Sequence, residues 1–263
     1  MSNPATPTAN LSYLADNCQD VLRKTAQDTL RANKIQELLN SVALLDEFVR
    51  QYEKIEDPNI NNDDEILNWT FTESLTDFSS AIWLISSGFY KAAASSLRNA
   101  FEVSTLALYF QIRENRDPAT GQYNRFYAKW DRGEIDTPNW GEMETIIAKH
   151  TSFKRFCADN NVDLWKFIYS HYQLLCGYTH TRAFDKKGEP ITSINTVGVS
   201  PAFNADYFDR VCVLTEETIS CIAILWKVVY PQIATPHLSG IISNSSSSKI
   251  FLPPHGSLAL AHQ

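Results

Sequence analysis

Two stretches of this chain bring together residue types that handle phosphates and protons. In the first, Arg98 and Glu102 stand four residues apart and are the only charged side chains between Ala92 and Ile112. That spacing makes them neighbours on one flank of a helix, where a carboxylate can orient a guanidinium whose planar fork matches a phosphate. The same pair can equally serve only as a salt bridge that fixes helix register. The second stretch is His171-Tyr172-Gln173-Leu174-Leu175-Cys176-Gly177-Tyr178-Thr179-His180. His171 falls in the centre of an apolar stripe with Leu164, Phe167, Ile168, Leu175 and Tyr178, which suits a core histidine. His180 follows Gly177 near the expected helix end. There an imidazole can act as acid or base near neutral pH, or cap the helix C-terminus as a cation.

Other chemistries find no foothold. The chain has no G-x-x-x-x-G-K-[ST], no G-x-G-x-x-G, no H-E-x-x-H and no G-x-S-x-G. Its six histidines show no metal-ligand spacing with cysteine, so neither a metal nor a cofactor is expected. The five cysteines (Cys18, Cys157, Cys176, Cys212, Cys221) contain no C-x-x-C pair and read as free thiols of a reducing compartment. Met1 to Asn10 lacks the basic and apolar regions of a secretory signal, and no apolar run is long enough for a bilayer span. A cytoplasmic protein without a membrane partner is the expectation. A net charge of −7 disfavours long-range attraction to nucleic acid, although a local basic groove remains compatible with it.

The elements that must position these residues are helical. Only 9 glycines in 263 residues argue against a protein of many tight β-turns. Ile35, Leu38, Leu39, Val42, Leu45, Phe48, Val49 and Tyr52 form one stripe of a helix or helix pair broken near Asn33. Asn62 or Asp63 caps a helix carrying Leu67, Phe71, Leu75, Phe78, Ile82 and Ile85, and Gly88 ends it. A second long helix from Tyr90 to about Arg113 completes an antiparallel hairpin. It is apolar on most sides, which places it at the centre of a bundle. Short helices follow at Tyr123–Trp130, Trp140–Lys149 and Ser152–Asp159, then stronger ones at Asp163–Tyr178 and Asn204–Tyr230. Residues 183–202 read as a loop that could hold a small β-hairpin.

The run Gly88-Phe89-Tyr90-Lys91-Ala92-Ala93-Ala94-Ser95-Ser96-Leu97-Arg98-Asn99-Ala100-Phe101-Glu102, together with the later Tyr172 to His180 segment, resembles the HEPN superfamily. Its divergent prokaryotic members carry an "A-A-x-x-L-R-x-x-x-E" central helix and a later helix with tyrosine and histidine. The similarity covers roughly Glu65 to Tyr230. It implies a helical bundle that dimerises, and a role in RNA targeting, toxin–antitoxin pairs or antiphage defence, with RNA or a partner protein as ligand. Many members are metal-independent ribonucleases using Arg, four to six residues, then His. Here no histidine has an arginine five to seven residues before it, and the nearest match is Lys166 ahead of His171. The residues the resemblance assigns to a site are Arg98 on phosphate, Glu102 orienting it, and His180 or His171 moving a proton beside Tyr172. Without catalysis, the same groups would serve an antitoxin, sensor or scaffold.

The expected architecture is all-α: an antiparallel helical bundle with long central helices, short inserted helices and at most a small β-hairpin. Residues 1–61 supply N-terminal helices packing on the bundle. Residues 62–234 form the bundle, with an insert at 114–162 and a loop at 183–203, and residues 235–263 form a tail.

Overall fold

The computed structural model describes residues 7–51, 66, 70–114, 126–179 and 203–233, without the side chains of 7–14. Among the described residues there are nine helices and no strand. They are α1 (Pro7–Gln27), α2 (Thr29–Arg50), α3 (Thr72–Ser86), α4 (Tyr90–Arg113), α5 (Phe126–Asp131), α6 (Trp140–Ile147), α7 (Thr151–Asn160), α8 (Leu164–Thr179) and α9 (Ala205–Val229). The fold is all-α, as the periodicity predicts. The expected hairpin at 183–202, the cap at Asn62 or Asp63 and the tail from 235 onward lie outside the described residues.

The N-terminal helix breaks at Asp28 rather than near Asn33. Asp28 leaves helical geometry at φ −87° and ψ 107°, and its carboxylate accepts a hydrogen bond from the Arg31 N–H. That is an N-cap, which a short acidic side chain provides and a mid-helix asparagine does not need to. Helix α2 then buries Leu38, Val42, Leu45, Phe48 and Val49. Leu39, expected in the same stripe, is instead exposed. Lys34 Nζ meets the nearly buried Glu216 Oε1 at 2.6 Å and ties α2 to α9.

Helices α3 and α4 form the predicted hairpin. The Ser74 hydroxyl bonds to the Ala100 carbonyl and to the Ser104 hydroxyl, at 3.0 and 2.6 Å, while Asp77 meets Asn99. Ascending positions on one helix face descending positions on the other, so the two run antiparallel. The turn between them depends on Gly88, whose φ of 79° is left-handed. The Gly88 N–H bonds to the Ile85 carbonyl and the Phe89 N–H to the Leu84 carbonyl, which closes the helix end. Gly133 and Asn161, at φ 69° and 52°, terminate α5 and α7 with the same pair of bonds.

Two helices form the centre. Every residue of α4 from Ser104 to Ile112 is buried, and so is every residue from Thr218 to Tyr230 in and beyond α9. The first was legible as a helix apolar on most sides. The spacing of Phe208, Val211, Leu214, Thr218, Cys221, Leu225 and Val228 predicts one inward-facing stripe for the second, which over this run is instead buried all round. Its run contains Lys227, whose ammonium donates to the carbonyls of Pro231 and Ile233 at 2.6 and 2.5 Å, where the chain leaves the helix. A cation is favoured at that end.

Candidate functional site

Helices α4 and α8 pack side by side, and that contact brings the two quoted motifs together. Arg98 Nη2 donates to Glu102 Oε1 at 2.9 Å, one helical turn away. It also donates to the Tyr172 hydroxyl at 3.3 Å, across 74 residues of sequence. The Tyr172 hydroxyl donates in turn to the same Glu102 oxygen at 2.7 Å. Each member of the cluster therefore holds the other two. Glu102 Oε2 has no partner among the described residues.

The side chains of Arg98 and Glu102 are 28% and 32% exposed, so this ion pair contributes about 1 kcal/mol at most to stability. Burial alone would lower the Arg98 pKa, but its hydrogen bond to the Glu102 carboxylate and that group's charge hold it above the ordinary value. Burial, then hydrogen bonds to Cys176 and Glu102, push the Tyr172 phenol up. Tyr172 thus keeps its proton at neutral pH and acts as a donor.

Trp140 fixes Tyr172. The two rings stack with centroids 4.1 Å apart and planes 29° from parallel. Trp140 opens α6, and the Asn139 side chain caps it by accepting from the Gly141 and Glu142 N–H groups, while Glu142 accepts from the Asn139 N–H. This reciprocal arrangement holds the first turn rigidly. The segment before it is pinned at its other end by Gly133 and in the middle by Trp130, whose indole N–H donates to Thr137 Oγ1 at 3.0 Å.

Between this segment and the α3–α4 hairpin lies a cleft of about 540 Å³. Its lining includes Thr70, Glu73, Asn99, Glu102, Val103, Leu106, Trp130, Pro138, Asn139, Trp140, Met143 and Tyr172. Most of these are apolar or aromatic, and among the described residues the charged lining groups are both carboxylates. A few polar groups on an apolar wall is the usual character of a ligand site, and the volume falls in the usual range.

The structure brings Arg98, Glu102 and Tyr172 together and leaves His171 out. His171, one residue before Tyr172 on α8, points into the core, where its Nε2 lies 2.9 Å from Thr218 Oγ1 and its ring meets Phe101 edge-on. The Thr218 hydroxyl already donates to the Leu214 carbonyl, so it accepts from His171 and assigns the ring proton to Nε2. Burial pushes the His171 imidazole down to about 4. His171 is the satisfied core histidine that its stripe suggested. His180 lies outside the described residues.

Sequence reasoning missed Glu73, Asn99, Trp130 and Trp140. Asn99 and Glu73 sit on polar flanks of apolar helices, where nothing marks them. Trp140 did carry a signal, because Asn139-x-x-Glu142 is a capping signature that fixes the residue it introduces. Among the described residues no three His, Cys, Asp or Glu side chains stand close enough to hold a metal ion, and no helix is long and apolar enough to cross a membrane. The five cysteines are free. No protein-family model, curated protein or solved structure matches this chain.

Proposed function

We propose that this chain is a HEPN-like helical protein with an RNA-linked role of the kind found in toxin–antitoxin or antiphage defence, and that Arg98 is its phosphate contact. One observation carries the reading. The arginine of the first motif and the tyrosine of the second, 74 residues apart, share a hydrogen bond beside an open cleft. Both Arg98 bonds use Nη2, which leaves Nη1 for a phosphate oxygen. Glu102 and Tyr172 hold the guanidinium in place, and an oriented fork loses less freedom on binding than a mobile one.

The geometry favours binding over proton transfer. The Tyr172 proton is committed to Glu102, and the His171 ring proton to Thr218. The non-catalytic form of the reading, a sensor, antitoxin or scaffold, therefore fits the described residues better than a ribonuclease.

Fluorescence anisotropy with single-stranded RNA in a chelator tests this. Arg98→Ala is expected to weaken binding about tenfold, since a charge-assisted hydrogen bond contributes about 1.5–3 kcal/mol. Helicity should persist, because the ion pair is partly exposed. Arg98→Lys should restore charge but little affinity. RNA binding that is absent, or indifferent to Arg98, would sink the reading. Metal-independent cleavage would instead restore the catalytic form. Solution mass of the purified chain tests the homodimer that the resemblance carries.

A further inference from the structure

We propose that the cleft between the α3–α4 hairpin and the Thr137–Trp140 segment binds a small organic amine, an apolar or aromatic body carrying one protonated nitrogen. The proposal is independent of the RNA reading. It rests on three features of the cleft.

The first is charge. Glu73 and Glu102 both line the space, and among the described residues no lysine or arginine does. Glu73 is exposed and has no hydrogen bond or ion pair among the described residues. Glu102 spends only Oε1 on Arg98 and Tyr172. Arg98 is not among the described lining residues and meets Glu102 at Oε1. The unpaired Glu73 carboxylate and the free Oε2 of the Arg98-paired Glu102 therefore face an open cleft with no lysine or arginine among its described lining, an arrangement that favours a cation over an anion there.

The second is the wall. Val103, Leu106, Met143, Trp130 and Trp140 surround the carboxylates with apolar and aromatic surface. A hydrated metal ion gains nothing from such a wall, and no third ligand completes a metal site among the described residues. An alkyl or aryl group gains by burial there, and an ammonium gains further from indole faces.

The third is size. About 540 Å³ holds far more than one water and suits a compact organic ligand. Asp77 adds support one turn along α3 from Glu73: burial first, and then the neighbouring Glu73 charge, hold its carboxyl above the usual value. Like charges on this flank are already crowded, and an ammonium between them relieves that repulsion.

Isothermal titration calorimetry of the full chain at neutral pH tests the proposal with tryptamine, phenethylamine and hexylamine as probes. Indole and indole-3-acetate serve as neutral and acidic counterparts. At least one amine is expected to bind saturably with one site per chain, and indole-3-acetate is expected not to bind. Glu73→Gln should weaken that amine about tenfold. The melting temperature should change little, because losing a first-turn carboxylate and relieving its repulsion with Asp77 act in opposite directions. Saturable binding by none of the amines, equal binding of the acid, or an amine affinity unaffected by Glu73→Gln would each overturn the proposal. RNA affinity measured on the same Glu73→Gln protein keeps the two readings apart, since Arg98 remains intact.

Discussion

Between pH 6.5 and about 4 the protein is expected to lose about 3 kcal/mol of stability that a His171→Leu variant does not lose. The cause is burial. In the folded chain the His171 imidazole stays neutral down to about 4, because the ring is buried in the core against Phe101, where a charged form would lose its hydration. In the unfolded chain the same ring takes a proton near its ordinary value of 6.5. Above that value both states are neutral and the contribution is fully present. As the pH falls through the window, the unfolded state gains a proton that the folded state refuses, and stability drops. Carboxylates also titrate near the lower end, but they do so in both proteins, so the difference between the two stability curves isolates His171. The variant starts about 1 kcal/mol less stable at neutral pH, having lost one hydrogen bond. Thr218 keeps its bond to Leu214 in either case. Urea unfolding at closely spaced pH values measures the difference. Parallel curves would mean that the ring charges inside the fold, and that His171 is not where the core places it.

The fold was legible where one residue type decided the matter. Gly88 could be read as a helix end because a left-handed position favours glycine, and α4 as central because its charges are confined to one flank. The break before α2 was less legible. Asn33 and Asp28 are both plausible caps by type, and the bond from Arg31 that decides between them is a matter of local geometry. The buried run of α9 was hidden for a different reason. Ser220 and Lys227 are polar by type, yet both are buried, Lys227 with its ammonium on the Pro231 and Ile233 carbonyls. Half of the site was visible. The spacing of Arg98 and Glu102 marks a pair on one helix, and Tyr172 belongs to the other quoted motif. The cleft was not visible, because Glu73, Asn99, Trp130 and Trp140 come from separate elements whose approach no single-chain periodicity records.

Phe101→Ala should cost about 3–5 kcal/mol and should also dismantle the site, although Phe101 is not in its lining. The ring is fully buried on α4. Its centroid lies 5.7 Å from Trp140 and 5.4 Å from His171. Trp140 in turn carries the stacked Tyr172 ring, and Tyr172 bonds Arg98 and Glu102. Removing the phenyl group leaves a void on the side of Trp140 that faces the core, and close-packed interiors refill such space only in part. The indole gains room to shift, and the aromatic support of the hydroxyl that positions Arg98 is weakened. A control separates this route from general destabilisation. Phe208 on α9 is equally buried but packs against Phe203, away from the cleft, so Phe208→Ala should cost a similar amount. Measured well below both melting temperatures, Phe208→Ala should keep the affinity for RNA and for amines, while Phe101→Ala should lose most of both. Equal affinities in the two variants would show that Trp140 is held by its other neighbours, Trp165 and Tyr169, and that the site does not depend on the core residue beneath it.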